Sequence, residues 1–265
     1  MKISVCGKGG SGKSVMTCLL AGGIRDKGCR AVVVDADESN TGLHRLLGFA
    51  GPPVPLLEVV GGKKQVFTVL AKNVDVRPGA ETNVMLREEL GLANIPAGHV
   101  LNKDGISLLA VGKIVQSHEG CACPMGVLSR EFLGKLRLER GEVAIVDMEA
   151  GVEHLGRGVD SAVDVALIVV EPSYESLDIA ERVVAMNAGA GPMTTWAILN
   201  KVTSNEVASR LESELEKRRV FTIGRIRHDP EVSEACLDGR PVRSELNAGE
   251  VAAILDRLGV GADCS

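Results

Sequence analysis

The stretch Gly7-Lys8-Gly9-Gly10-Ser11-Gly12-Lys13-Ser14 matches the pattern Gly-x-x-x-x-Gly-Lys-[Ser/Thr]. It follows a short apolar run, Ile3–Cys6, and leads into apolar residues at helical spacing from Val15 to Ile24. This order predicts a strand, a glycine-rich loop and a helix. Glycines in such a loop let backbone N–H groups approach a phosphate chain, because no Cβ blocks the way. The helix N-terminus behind the loop adds its positive dipole end, so the stretch predicts a nucleotide phosphate site.

Individual residues of this loop have expected roles. Lys13 is expected to reach the β- and γ-phosphates, and the Ser14 hydroxyl is expected to ligate Mg²⁺. Lys8 is a second lysine at the start of the loop, and the phosphate pattern itself does not need it. The residues expected to bind nucleotide here are Gly9, Gly10, Ser11, Gly12, Lys13, Ser14 and Val15.

The composition argues against several classes of function. The chain has 265 residues and a net charge of −5, which argues against general binding to nucleic acid or anionic membranes. It has one Trp, one Tyr and four Phe, too few for a base-stacking platform. The N-terminus begins with a strand pattern rather than a secretory signal, and no apolar run approaches the roughly 20 residues of a membrane span. We expect a cytoplasmic protein with no nucleic-acid partner and no membrane partner.

Buried-strand patterns alternate with helical patterns along nearly the whole chain. Three consecutive valines in Arg30–Asp35 indicate a strand buried on both faces, as in a parallel sheet. Prolines and glycines interrupt the pattern between about 51 and 120, where we expect an irregular excursion rather than an independent domain. The alternation predicts an α/β fold, a doubly wound and mostly parallel sheet flanked by helices, in a single domain over 1–265. Further strands are expected at 106–112, 143–147, 162–171, 194–200 and 220–224, and helices at 13–27, 41–48, 175–188, 204–219, 231–238 and 248–259.

Acidic residues follow two of these strands. Asp35 and Asp37 follow the second predicted strand, at the end where ligands bind in open α/β sheets. The run Val143–Asp147 has the Walker B form of four apolar residues and an aspartate, so Asp147 is expected near Mg²⁺. Many buried strands end in aspartate, and the Walker B assignment depends on the complete loop that precedes it in the chain.

The identity of the base is suggested by the end of a later strand, Leu199–Thr203. Asn200 and Lys201 match the start of the guanine-reading pattern Asn-Lys-x-Asp, but Thr203 replaces its aspartate. We therefore expect adenine, with Asn200 touching the edge of the base. The alternative is that Asn200 only caps a turn at the strand end.

Three stretches together resemble the deviant Walker A ATPases, a group that includes the MinD and ParA proteins and the nitrogenase iron protein. They are Lys8–Ser14, Asp35–Asp37 and Asp147–Gly151. The resemblance extends over essentially the whole chain. It implies a P-loop ATPase that hydrolyses ATP to ADP and phosphate and whose two subunits ATP draws together face to face.

The resemblance also implies roles for single residues. Lys8 would reach across the dimer to the partner's nucleotide and stabilise charge on the transferring phosphoryl group. Asp37 would orient or deprotonate the attacking water, which makes Lys8, Lys13 and Asp37 the expected catalytic residues. Asp35, like Asp147, would lie close to Mg²⁺. The switch II resemblance of Asp147–Gly151 implies that the Gly151 N–H senses the γ-phosphate.

Two further stretches are similar to one branch of this group, the CooC-type accessory ATPases, which help insert nickel into carbon monoxide dehydrogenase. They are Cys121-Ala122-Cys123 and Ala150–Gly158, followed later by Glu171-Pro172. This branch implies a homodimer and a nickel metalloenzyme client such as carbon monoxide dehydrogenase.

The cysteines divide into two kinds. Seven cysteines in a cytoplasmic protein are expected to be reduced thiols, with Cys6 and Cys18 as small core residues. Cys121 and Cys123 instead form a close pair, whose thiolates share one side of an extended segment. Two copies across a two-fold axis would supply four thiolates, which suits Zn²⁺, Ni²⁺ or an iron–sulfur cluster. The alternative is a pair of idle thiols, and the matching position in the CooC-type branch favours the metal.

These observations predict an ATP-dependent metallochaperone that binds nickel or zinc between two subunits, with dimerisation on ATP or metal binding. The first alternative is an ATP-dependent reductase, similar to the nitrogenase iron protein, with an iron–sulfur cluster between its subunits. The second alternative is a positioning ATPase of the MinD or ParA kind. The second is disfavoured because the last predicted helix is short and not basic, unlike a membrane-binding amphipathic helix.

Overall fold

The fold is described from a computed structural model of the chain. The structure describes residues 1–62, 66, 88–112, 123–151, 162–188 and 194–261, without the side chains of residues 123 and 124.

Within the described residues, eight strands form one sheet: β1 Lys2–Gly7, β2 Arg30–Asp35, β3 Leu101–Lys103, β4 Ile106–Ala110, β5 Glu142–Asp147, β6 Val165–Val170, β7 Thr194–Val202 and β8 Thr222–Arg227. Their order in the sheet is β3-β4-β2-β5-β1-β6-β7-β8. Neighbouring strands are parallel, except that β3 and β4 are antiparallel. The predicted doubly wound, mostly parallel sheet is therefore confirmed.

The α-helices of the described residues connect these strands and cover the sheet. Several have a capping residue that the sequence supplies: Ser173, Ser204 and Asp229 each accept a hydrogen bond from a backbone N–H of the helix they precede. The helices are α1 Lys13–Asp26, α2 Leu43–Leu46, α3 Leu56–Val59, α4 Cys123–Lys135, α5 Tyr174–Asn187, α6 Asn205–Lys217, α7 Pro230–Asp238 and α8 Ala248–Arg257. A short 3₁₀ helix spans Leu92–Asn94.

The central strands are apolar on both faces because each face packs against a different layer. In β2, Val32 and Val34 join the core cluster on one side of the sheet, and Val33 joins the cluster on the other side. All six residues of β5 and of β6 are buried. Continuous valine and isoleucine runs therefore predicted these strands, since a half-exposed strand would alternate apolar and polar residues.

Two strands, β8 and β3, differ most from the sequence-based expectation, and β4, β6 and β7 differ from it by one to three residues at an end. β8 begins at Thr222 rather than Val220, because the N–H of Val220 still closes the end of α6 on the Leu215 carbonyl. β8 lies at the edge of the sheet and alternates buried and exposed residues, so its polar second half was not recognised as strand. β3 was not predicted, although the pair Asp104-Gly105 between β3 and β4 is typical of a two-residue hairpin turn. Both residues have the positive φ that such a turn requires.

The expectation of reduced cysteines is wrong at Cys29. Cys29 is disulfide-bonded, whereas Cys6, Cys18 and Cys236 are free thiols. The partner of Cys29 lies outside the described side chains. Folding joins cysteines that are distant along the chain, and their spacing in the sequence contains no sign of it. Cys6 and Cys18 are buried core residues, as expected.

The strand order brings the glycine-rich loop and the aspartates that follow β2 and end β5 to one edge of the sheet. β1 lies between β5 and β6, and β2 lies beside β5. In the strand register, Asp147 is opposite Val5 on one side and opposite Asp35 on the other. The glycine-rich loop after β1, the acidic ends of β2 and β5 and the ends of β6 and β7 consequently meet at the carboxyl edge, where open α/β sheets bind ligands.

Candidate nucleotide and magnesium site

The glycine-rich loop leads directly into α1. Gly12, the residue before the helix, has φ +99°, and a Cβ there would lie 2.3 Å from the Asn200 amide nitrogen. A Cβ at Gly7 would lie 2.6 Å from the Val169 carbonyl oxygen. Because Gly12 has no side chain, it cannot cap the first N–H groups of α1. These groups point to the loop and form an anion site of the kind that phosphates occupy.

The end of β7 holds this loop in place. Asn200 is buried, and its Nδ2 donates a 2.8 Å hydrogen bond to the Ser11 carbonyl. Lys201, at φ +56°, donates a 2.6 Å hydrogen bond from Nζ to the Gly10 carbonyl. Asn200 therefore has a structural role that the sequence did not reveal, and its contact with the base stays a prediction.

A cavity of about 250 Å³ opens beside the loop, between Val15, the end of β7 and the start of α7. Asp229 lines this cavity, but both of its carboxylate oxygens already accept hydrogen bonds. Oδ1 accepts the Glu231 N–H at 3.0 Å, and Oδ2 accepts the Ser244 hydroxyl at 2.5 Å. These two bonds fix the orientation of the Asp229 carboxylate, and the expectation of adenine stays a prediction.

Ser14 and Asp147, both expected near Mg²⁺, contact each other. The Ser14 hydroxyl donates a 2.7 Å hydrogen bond to Asp147 Oδ2, and Asn40 Nδ2 donates to Ser14 Oγ at 2.8 Å. The sequence did not single out Asn40, whose only signal was its place in the polar segment after β2. Asp147 is fully buried, and its Oδ1 has no hydrogen-bond partner among the described residues.

The electrostatics of this cluster suit a divalent cation. Burial, together with the charge of the neighbouring Asp35, raises the pKa of Asp147 to about 7. A bound cation would offset both effects. No group of three or more His, Cys, Asp or Glu side chains in the described parts of the chain could hold a metal alone. Mg²⁺ is usually bound by one or two protein oxygens together with substrate phosphates.

Replacing Asp147 by asparagine is expected to stabilise the metal-free, nucleotide-free protein at pH 8 but not at pH 4. Because the pKa of Asp147 is raised in the fold, the folded state binds the proton more tightly, and stability falls as the pH rises from 3.8 towards about 7. At about 1.4 kcal/mol per pKa unit, the ionised carboxylate lowers the free energy of unfolding by up to about 4 kcal/mol above that range. Urea unfolding in EDTA across this pH range measures the difference.

The matched control for this variant is Asp26→Asn, which changes an exposed aspartate of α1. We expect it to shift stability little, and equally at both pH values. A gain from Asp147→Asn that was the same at pH 4 and pH 8 would contradict the assignment of the raised pKa to Asp147.

Asp37 lies buried in the loop after β2. Its Oδ1 accepts hydrogen bonds from the Ser39 N–H at 2.9 Å, the Ser39 hydroxyl at 2.6 Å and the Asn40 N–H at 3.3 Å. These bonds fix the orientation of the carboxylate. Gly151, at φ +90°, donates its N–H to the Gly7 carbonyl at 3.1 Å. For the Gly151 N–H to meet a γ-phosphate, this bond must open.

The two lysines of the loop have different surroundings. Lys13 is buried, and its Nζ lies 3.5 Å from the Lys8 carbonyl, within the loop. The Lys8 side chain instead extends to the end of β6 and the start of α5, where it pairs with Glu175 and Glu171. Hydrogen bonds to these two carboxylates raise the pKa of Lys8.

The cysteine pair lies at the border of the described residues. Cys121 is outside them, and Cys123 begins α4 but its side chain is outside them too. The expectation that this pair holds a metal therefore stays a prediction.

The family model of the CobQ/CobB/MinD/ParA nucleotide-binding domain matches residues 3–242. An uncharacterised ATP-binding protein of Methanocaldococcus jannaschii is 40% identical over 93% of this chain and 96% of its own length. The carbon monoxide dehydrogenase accessory protein CooC of Rhodospirillum rubrum is 30% identical over 98% of both chains.

Solved structures agree with the fold. The septum site-determining protein MinD of Pyrococcus horikoshii, solved with Mg-ADP, superimposes with a TM-score of 0.67 at 16% identity, covering 97% of this chain and 95% of that one. A MinC–MinD complex of Aquifex aeolicus gives 0.66 at 20% identity, with 97% and 95% covered. Within the described residues, no helix is long and apolar enough to cross a membrane.

Proposed function

Because the chain belongs to the CobQ/CobB/MinD/ParA nucleotide-binding family and is a P-loop ATPase, we propose that it is an accessory ATPase for the maturation of a nickel enzyme. In this proposal two subunits bind nickel, or zinc, between them through Cys121 and Cys123. ATP binding and hydrolysis then control delivery of the metal to a client such as carbon monoxide dehydrogenase.

One observation carries the proposal: the 30% identity with CooC, whose name states its accessory role for carbon monoxide dehydrogenase, over nearly all of both chains. The chain also contains the Cys-x-Cys pair at 121–123. One pair cannot complete a tetrahedral site, so a dimer is the simplest way to provide four soft thiolate ligands.

In this proposal, each residue of the described site has a role in ATP hydrolysis. The loop and the α1 N-terminus would hold the phosphates of ATP, and Lys13 would neutralise their charge. Ser14 and Asp147, with Asp35 beside them, would hold Mg²⁺, which would neutralise charge that develops on the phosphates. Asp37, fixed by Ser39 and Asn40, would orient the attacking water. Lys8 of one subunit would complete the site of the other, so hydrolysis would depend on the dimer.

The double variant Cys121→Ala/Cys123→Ala is expected to lose the metal. Wild-type protein should bind about one Ni²⁺ per dimer, and the double variant should bind it about 100-fold more weakly or not at all, because no thiolates remain. Its affinity for ATP should stay within about two-fold of wild type, since neither cysteine lies in the phosphate loop. Metal analysis after dialysis, with the dimer mass measured in the presence and absence of ATP, tests both expectations.

The control for the cysteine variant is Cys236→Ala, which removes an exposed free thiol of α7. It should keep the metal. Full nickel and zinc binding by the Cys121/Cys123 double variant would reject the site. The same metal analysis addresses the reductase alternative, because anaerobically purified protein would then contain iron and sulfide instead of nickel or zinc.

A further inference from the structure

The Lys8 ammonium is held between two carboxylates of its own subunit. Its Nζ lies 3.1 Å from Glu171 Oε1 and 3.0 Å from Glu175 Oε2. Glu171 is the first residue after β6, and Glu175 lies in the first turn of α5. The side chain of Lys8 therefore leaves the glycine-rich loop and bridges to the next strand end along the carboxyl edge of the sheet.

The two glutamates of this contact are not equivalent. Glu171 is mostly buried, with 16% of its side chain exposed, and its Oε2 also accepts a 2.7 Å bond from Lys201. Lys201 in turn donates to the Gly10 carbonyl, so Glu171 belongs to the framework that supports the loop. Glu175 is 74% exposed, and its ion pair within the described residues is with Lys8. Glu175 can therefore change partner without disturbing the loop.

We propose that Glu171 and Glu175 form a latch that holds Lys8 on its own subunit, and that a second copy of the chain must draw Lys8 out of this latch when the two copies close on ATP. The latch depends on the dimeric ATPase proposed above. One ammonium group has three donors, and two of them point to these carboxylates. Lys8 cannot keep both ion pairs while it contacts a phosphate group in the other subunit.

The latch sets a threshold for dimerisation. If only a fraction of subunits have Lys8 released, the apparent association constant of the dimer falls by the square of that fraction, because both subunits must release their Lys8. The phosphates of bound ATP offer Lys8 a stronger negative charge than ADP does, because the γ-phosphate is present. The latch would therefore suppress dimers of nucleotide-free or ADP-bound subunits more than dimers with ATP.

The test is the variant Glu175→Gln, which removes one charge of the latch and keeps the side-chain length. In the nucleotide-free protein, the Lys8 amine should become about two- to five-fold more reactive towards acetic anhydride, as measured by peptide mass spectrometry. The ATP concentration that gives half-maximal dimer should fall by about the same factor, as measured by light scattering after size separation.

Glu181→Gln is the matched control, because Glu181 is another partly exposed glutamate of α5 and pairs with Arg218 rather than Lys8. It should change neither readout. If the wild type dimerises with ATP and Glu175→Gln changes neither the ATP dependence of the dimer nor the reactivity of Lys8, the latch is overturned and the proposed function stands. A wild-type chain that stays monomeric at saturating ATP would overturn both.

Discussion

Alanine in place of Lys8 is expected to slow ATP hydrolysis by about 10³-fold or more, while ATP affinity of the monomer changes by less than about three-fold. Lys8 would act on the nucleotide of the other subunit, as an arginine finger does, and stabilise charge on the phosphoryl group in the transition state. Within its own subunit, its ammonium pairs with Glu171 and Glu175, not with the phosphate loop. Phosphate release and titration with a fluorescent ATP analogue measure the two quantities separately.

Lys13→Ala provides the contrast for the Lys8 variant. Lys13 is buried in the loop, so its loss should weaken ATP binding and abolish hydrolysis together. Mixing Lys8→Ala with Lys13→Ala subunits adds a sharper test. In a mixed dimer, the nucleotide of the Lys8→Ala subunit would have both lysines: Lys13 of its own subunit and Lys8 of the other. Hydrolysis by Lys8→Ala within about ten-fold of wild type would contradict a role for Lys8 in the transition state.

The fold could be predicted because its signals are local. Most central strands contain a continuous apolar run, such as Val32–Val34, since helices cover both faces of the sheet. The loop from Gly7 to Ser14 is also local, because one turn between a strand and a helix makes the whole phosphate site. The edge strands β3 and β8 were missed or displaced for the opposite reason: β3 has no buried residue and β8 only two, so neither has a continuous apolar run.

The contacts within the site could not be predicted, because they join residues that are far apart in the chain. Glu171 is 163 residues from Lys8, and Asn200 is 189 residues from Ser11. A sequence pattern shows that Asn200 follows a strand but not that its amide supports the phosphate loop. Nothing in the sequence indicated that Glu175 pairs with Lys8, since an exposed glutamate in the first turn of a helix is ordinary. These long-range contacts decide how the loop and its lysines are held.

An asparagine at Asp37 is expected to slow ATP hydrolysis by about 10²- to 10⁴-fold at saturating ATP. The substitution keeps the volume of the side chain and an oxygen that can accept the bonds of Ser39 and Asn40, which now hold Asp37 Oδ1. It removes the negative charge that would orient or deprotonate the attacking water. Single-turnover hydrolysis with excess enzyme measures the chemical step apart from product release.

The dimer gives Asp37→Asn a second, independent readout. Because Lys8 stays intact in this variant, the two subunits should still close on ATP, and the unhydrolysed nucleotide should make the dimer persist longer than in wild type. Lys8→Ala should not show this persistence. Ser39→Ala, which removes only the 2.6 Å hydroxyl bond to Asp37, should lose no more than about ten-fold in rate. A fast Asp37→Asn enzyme, or one that no longer dimerises with ATP, would assign Asp37 to the architecture of the loop instead of to the water.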